Sequence, residues 1–190
     1  MENEATGIME GRKVTMEKKV NGKTIYEGKV VTLTVDQILT DEGNEGLREV
    51  VHHRGGCCIA LQDPDDGKYF CVRQYRYAQG TEMLEFCAGK IEEGEDPAVT
   101  VCRESEEELG YTVKDLKSYG YIVPTCGYSS EKIYLYSGIK GERVGTHFDA
   151  DEEISEEKYS LQELAEMVTK GELVDAKTIA LLWHLRRSDV

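Results

Sequence analysis

The apolar positions of this chain fall mostly into short runs, several rich in β-branched residues and too brief for helices. Over the first 50 residues, KVTMEKKV, KTIYEGKVVTLTVDQIL and LREVVHH read as strands of a small sheet. Turns are predicted at Asn21-Gly22 and at Asp41-Glu42-Gly43. Next come GCCIALQ and KYFCVRQYR, two continuous apolar runs separated by Asp63-Pro64-Asp65-Asp66-Gly67, a strong hairpin signal. MLEFCAG gives one more strand, ending at Gly89.

The pattern changes period after the polar loop Glu92-Glu93-Gly94-Glu95. Asp96 followed by Pro97 predicts a helix N-cap with proline at the first helical position, and Gly110 predicts the C-terminal stop after Leu109. Ala98, Cys102, Ser105 and Leu109 make a weak apolar stripe on that helix. Strands LKSYGYIV and KIYLYSGI follow, then an acidic loop, DADEEISEEKY. Two helical patterns, LQELAEMVTKG and DAKTIALLWHLRR, close the chain. Trp183 is expected to pack, with His184 as its surface neighbour. The fold class is α+β, organised as a β-rich extension over 1–50 and a main domain over 51–190. Alone, the extension has little core, so it either extends the main sheet or packs against a second subunit, the second option being preferred.

Composition narrows the partners. The 190 residues carry 37 Asp and Glu against 23 Lys and Arg, a formal net charge of -14. So acidic a chain is ill suited to nucleic-acid backbone or an anionic membrane, and a phosphorylated substrate would need local basic groups or metal ions. Six cysteines at 57, 58, 71, 87, 102 and 126 form no CxxC pair and lie mostly in apolar runs. They read as buried free thiols of a cytoplasmic protein. The N-terminal stretch has no signal-peptide pattern and no apolar run reaches transmembrane length.

The densest chemistry is RESEEELGY, Arg103 to Tyr111, with glutamates at 104, 106, 107 and 108. Like charges at helical spacing cost roughly 0.2–0.5 kcal/mol per pair, and the C-terminal end of the helix dipole adds to that. A solvated acidic face accounts for such a cluster, and so does a bound cation. Glu104 and Glu108, four apart, share one face with Glu107 beside it, and hard divalent cations prefer oxygen donors of this kind.

GKIEEGEDPAVTVCRESEEELGY, from Gly89 to Tyr111, closely resembles the Nudix box. Gly89, Glu95, Arg103, Glu104, Glu107, Glu108 and Gly110 fall in register, while Ser105 replaces the family's usual aliphatic residue. CVRQYRYAQGTEMLEFCAGKIEEGE, VPTCGYSSEKIYLY and GELVDAKTIALLWHL extend the resemblance to the ADP-ribose pyrophosphatase group. Cys87 and Cys126 stand where that group carries prolines. The resemblance implies the Nudix fold, mixed sheets between helices in an α/β/α arrangement, with an N-terminal antiparallel extension that relatives use in domain-swapped dimers.

The same resemblance implies site roles. The Ala88 carbonyl, Glu104 and Glu108 would be inner metal ligands, with Glu107 helping to hold a further ion; Mg2+ is the expected metal and Mn2+ an alternative. Glu107 and Glu108 would thereby share in catalysis. Arg103 would fix a box carboxylate, Glu95 would stabilise the loop, and Gly89 and Gly110 would permit turns. In relatives the base lies in the late acidic loop, where Glu153 fits best and Glu152 is the runner-up. Arg76 is the leading phosphate contact, ahead of Arg73 and Arg54, and Glu131 would meet a substrate hydroxyl or brace the base. In a strand, Arg73 and Arg76 face opposite sides. Tyr26, Tyr75 and Tyr128 are open choices for stacking on a base, and His52-His53 reads as a plain strand end.

The implied function is metal-dependent hydrolysis of a nucleoside diphosphate sugar, ADP-ribose first, to AMP and ribose 5-phosphate. GDP-mannose or another nucleoside diphosphate derivative is the alternative substrate. A non-enzymatic sugar-nucleotide sensor is the alternative class.

Overall fold

A computed structural model describes residues 16–148 and 153–187, and the chain divides into two compact units, Met1–Val51 and His52–Val190. The first unit is a three-stranded sheet of β1 (Glu17–Glu27), β2 (Val31–Thr40) and β3 (Glu45–His53), in that order. The expected turn at Asn21-Gly22 does not form. Neither residue has the positive φ that such a turn requires, and β1 runs through them with a register shift between Lys19 and Asn21. A side chain on Gly22 would collide with Asp36, which pairs with Lys19 at 2.7 Å, so this glycine makes room across the strands. The chain reverses later, where Gly28 N donates to Val31 O at 3.0 Å. The second reversal is at Asp41-Glu42, closed by Gly43 at φ 84°.

The second unit is a mixed sheet faced by helices. Its strands are β4 (Gly56–Gln62), β5 (Tyr69–Arg76), β6 (Thr81–Glu85), β7 (Cys87–Lys90), β8 (Tyr111–Ile122), β9 (Ile133–Arg143) and β10 (Ile154–Tyr159). The order is β10-β5-β4-β9-β8, with β6 against β5 and β7 against β4. β4 and β9 run parallel; the other pairings are antiparallel.

Strand alternation explains why GCCIALQ and KYFCVRQYR are apolar throughout. Cys57, Ile59, Leu61, Phe70 and Val72 point to one face, where Val101 and Leu109 of the box helix cover them. Cys58, Ala60, Tyr69 and Cys71 point to the other, onto Leu164 of α2 (Leu161–Lys170), the following Leu173, and Leu181, Leu182 and Leu185 of α3 (Ala176–Arg187). A central strand covered on both sides needs apolar residues at every position. Burying each such aliphatic side chain contributes about 1.5–3 kcal/mol.

Three local expectations are corrected. MLEFCAG is two strands, because Phe86 N leaves the ladder and donates to Thr178 Oγ1 at 2.9 Å. Of the acidic stretch expected as a loop, Ile154–Tyr159 is an edge strand paired with β5, and residues 149–152 lie outside the described residues; edge strands tolerate charge because one side faces water. Trp183 is 64% exposed, since Leu181, Leu182 and Leu185 take the inward face of α3. All six cysteines are free; Cys126 is exposed and Cys102 half-buried, while the other four are buried as expected.

Candidate functional site: an acidic cavity beside the box helix

Asp96 caps the box helix as its sequence predicts, accepting from Ala98 N at 2.8 Å, with Pro97 in the first turn. The helix is not α-helical to its end. It is α1 from Pro97 to Glu104, and Ser105–Leu109 form a π-helical turn closed by Gly110 in the left-handed region at φ 74°. Ser105, which sequence alone marks as a weak spot in the apolar stripe, is fully buried and donates to Tyr111 O at 2.9 Å. The hydroxyl satisfies a carbonyl just beyond the helix, a task an aliphatic side chain cannot perform. Such π turns commonly sit at functional sites.

This turn fixes the glutamates against β7. Gly89 is not in a turn; it lies in extended β7, and a Cβ there would overlap the carboxylate carbon of Glu104. The glycine is required by close approach of that side chain to the strand. Glu108 is 5% exposed and accepts from Ala88 N at 3.4 Å. Burial and the neighbouring Glu108 carboxylate push the Cys87 thiol well above its ordinary range, so the cysteine replacing proline is a neutral core residue.

Arg103 is the hub. Its Nε and Nη2 lie 3.2 and 3.3 Å from the two oxygens of Glu95, and its Nη1 lies 3.0 Å from Glu104 and 2.7 Å from Glu107. Glu95 also accepts from Thr100 Oγ1 at 2.7 Å, and these bonds, Arg103's first, lower its pKa to about 2. The Glu107 carbonyl accepts from His147 N at 2.9 Å, which anchors the segment after β9 to the π turn.

Glu104, Glu107 and Glu108 open into one cavity of about 390 Å3 that also presents Arg76 and Glu131. The other predicted residues are placed apart. Arg73 faces away, as strand alternation requires, and pairs with Glu157 at 2.5 Å. Arg54 is exposed and does not line the cavity; nor do Tyr26, Tyr75 or Tyr128, all more than half exposed. Glu153 is exposed at the start of β10, next to Ile154, whose strand partner Gln74 lines the cavity. Glu152 lies outside the described residues.

Sequence reasoning missed several cavity residues, among them His53, Gln74, His147 and Lys177. His53 is more than a strand end. Its Nδ1 accepts from Gly55 N at 3.0 Å and lies 3.5 Å from Glu131. Gln74 shares a strand face with Arg76, which alternation signals in advance; tertiary folding brings in the others, with the adjacency of His53 to the apolar run of β4 as a local hint.

A divalent cation suits this donor set chemically. Carboxylates of Glu104, Glu107 and Glu108 and the backbone at Ala88 supply hard oxygens on one wall. Among the described residues no three such side chains are already closed around a common point, and Arg103 holds Glu104 and Glu107.

Residues 51–182 match the NUDIX domain. The chain belongs to the Nudix family. Similar curated proteins include the ADP-ribose pyrophosphatase of Bacillus subtilis, 31% identical over 90% of this chain and 92% of that one. The methanol dehydrogenase activator of Bacillus methanolicus is 31% identical over 92% and 95% of the two chains. A GDP-mannose pyrophosphatase of Cronobacter sakazakii is 28% identical over 88% and 93%. Among solved structures, an ADP compounds hydrolase shares the fold at TM-score 0.79 and 17% identity, covering 93% of this chain and 95% of that one. This Nudix protein is a pyrophosphohydrolase related to the ADP-ribose pyrophosphatase-like members, on an α+β Nudix fold with an N-terminal antiparallel sheet. No helix among the described residues is long and apolar enough to cross a membrane.

Proposed function

We propose that this Nudix hydrolase cleaves the pyrophosphate bond of ADP-ribose, giving AMP and ribose 5-phosphate. The observation that carries the reading is the convergence of Glu104, Glu107, Glu108 and Arg76 on a single cavity. Hydrolysis of a nucleoside diphosphate derivative is the common activity of the named pyrophosphatases, which match at similar identity whether they act on ADP-ribose or GDP-mannose; ADP-ribose is preferred on the resemblance of the RQYR segment and its surroundings to that group.

When bound, divalent metal (Mg2+, with Mn2+ as an alternative) supplies charge neutralisation at the phosphates and lowers the pKa of coordinated water. The chain's own groups supply the rest. Glu104 and Glu108, with the Ala88 carbonyl and Glu107, would hold the metal. Arg103 keeps the carboxylates oriented through Glu95. Arg76 donates to a phosphate oxygen and so favours developing negative charge. Glu153 serves as the base that takes the proton of the attacking water; the pairing of the next residue, Ile154, with the cavity residue Gln74 supports this choice. Glu131 contacts a substrate hydroxyl beside His53.

The N-terminal unit, residues 1–50, is assigned to subunit pairing in a homodimer. Its support is the apolar surface that Val20, Ile25, Tyr26 and Leu47 expose, each more than half accessible. Six free thiols support a cytoplasmic location.

A panel of sugar nucleotides assayed with Mg2+ and with Mn2+, reading released phosphatase-sensitive monophosphate, tests the assignment. ADP-ribose is expected to give the highest kcat/KM. A tenfold preference for GDP-mannose would transfer the assignment to that substrate, and binding without release would support the sensor.

A further inference from the structure

Arg76 of β5 and Lys177 of α3 come from elements distant in sequence, yet both line the cavity. Both are held by Glu85, the last residue of β6, which is only 1% exposed. Glu85 accepts from Arg76 Nε and Nη2, each at 2.6 Å, and from the Lys177 ammonium. Asp175 takes a second Lys177 contact at 3.0 Å while its other oxygen caps α3 through Thr178 N at 3.0 Å.

The four charges cancel, so a purely structural ion cluster is a sufficient description of their sum. It does not explain their arrangement. The two cations face the cavity, and neither Glu85 nor Asp175 lines it. The carboxylates stand behind and the positive groups in front. Arg76 spends one edge of its guanidinium on Glu85, and its Nη1 has no hydrogen-bond partner among the described residues. Burial alone would lower the pKa of Lys177, but Asp175 and Glu85 outweigh it and keep the amine charged. Arg76 also lies near enough to feel the Glu108 carboxylate, so this pair of cations borders the glutamate wall.

We propose that Lys177 is a second substrate-binding cation, receiving with Arg76 the nonbridging phosphate oxygens of the nucleoside diphosphate, and that Glu85 is the residue that positions both. The inference rests on the cavity being the diphosphate site, as proposed above. The two cations differ in the job each can do: the Arg76 fork is fixed in direction, while the Lys177 ammonium is a compact charge that can follow the phosphate.

Steady-state kinetics of the full-length protein on ADP-ribose with Mg2+, comparing wild type with Lys177→Met, Lys177→Arg and Glu85→Gln, is the test. Lys177→Met is expected to raise KM at least tenfold with kcat changed less than threefold. Lys177→Arg should recover most of that loss, and Glu85→Gln should raise KM similarly because both cations lose their common anchor. A Lys177→Met enzyme with KM within twofold of wild type, or one in which Arg rescues nothing, overturns the proposal alone. A wild type inert toward every nucleoside diphosphate derivative overturns it together with the functional reading. If Lys177→Met fails to fold by circular dichroism, a crystal of the wild type with ADP decides instead. A phosphate oxygen within about 3.2 Å of Lys177 Nζ supports the role; a phosphate elsewhere in the cavity refutes it.

Discussion

Gly89 and Glu104 occupy space that only one of them can fill: any side chain on the glycine would coincide with the glutamate carboxylate. The first residue of the box is therefore a spacer for its central glutamate, fifteen positions later. Gly89→Ala must move Glu104, β7 or both. A displacement of about 1 Å in a catalytic constellation can cost roughly 100-fold in rate. Gly89→Ala is accordingly expected to lose at least that much kcat/KM while remaining folded, as read by activity and thermal unfolding side by side. A loss below tenfold would mean that Glu104 has room to spare.

Glu108→Gln keeps an oxygen for the Ala88 N–H and removes the charge. Turnover should fall by more than about 100-fold, within the range that loss of an electrostatic contribution at an active site produces. Mn2+ binding followed by paramagnetic resonance should weaken in parallel. Unchanged turnover and unchanged Mn2+ affinity would remove Glu108 from the metal set.

Glu153 and Glu131 can be separated as bases by their amides. Glu153→Gln is expected to lower kcat by about 10²–10⁴-fold with little effect on KM, the range for a general base. Glu131→Gln, within reach of His53 inside the cavity, should act mainly on KM. The reverse pattern would exchange the two roles.

Ser105→Ala deletes the hydroxyl that serves Tyr111 O within a fully buried site. A loss of about 1 kcal/mol in urea-unfolding stability is expected. No change would show that the π turn closes without it.

Asp63 is 4% exposed and held by Lys140 at 2.6 Å and Lys158 at 2.9 Å. Burial pushes its pKa up, but the lysine hydrogen bonds outweigh that and hold it well below its ordinary 3.8. A carboxyl depressed on folding stabilises above its unfolded pKa, and that stability is lost as pH falls through the folded value. Between pH 7 and 5 the wild type should therefore melt higher than Asp63→Asn, and the difference should shrink steadily below about pH 4. Parallel melting curves down to pH 2.5 would show that Asp63 carries no linkage.

The box and its capping were legible because they are local. Asp96-Pro97, Gly110 and the glutamate spacing state their geometry within one helix and its ends, and the two-faced burial of β4 and β5 follows from uninterrupted apolar runs. Local reading failed wherever a distant partner set the outcome. Asn21-Gly22 has the dipeptide of a turn, yet its pairing with Asp36 and Gln37 of β2 keeps it extended. Ile154–Tyr159 has the charge of a loop, yet the open edge of β5 recruits it as a strand.

The amino-acid order by itself determined which carboxylates would stand together, since residues one turn apart on a helix meet whatever surrounds them. Tertiary structure alone decided what faces them. Lys177 lies 92 residues from Glu85 and His53 lies 78 from Glu131, and such pairs meet only when the sheet closes its core between the helix layers. Periodicity records neighbours within an element; it carries no record of which elements pack together, because that is settled by the burial of whole faces.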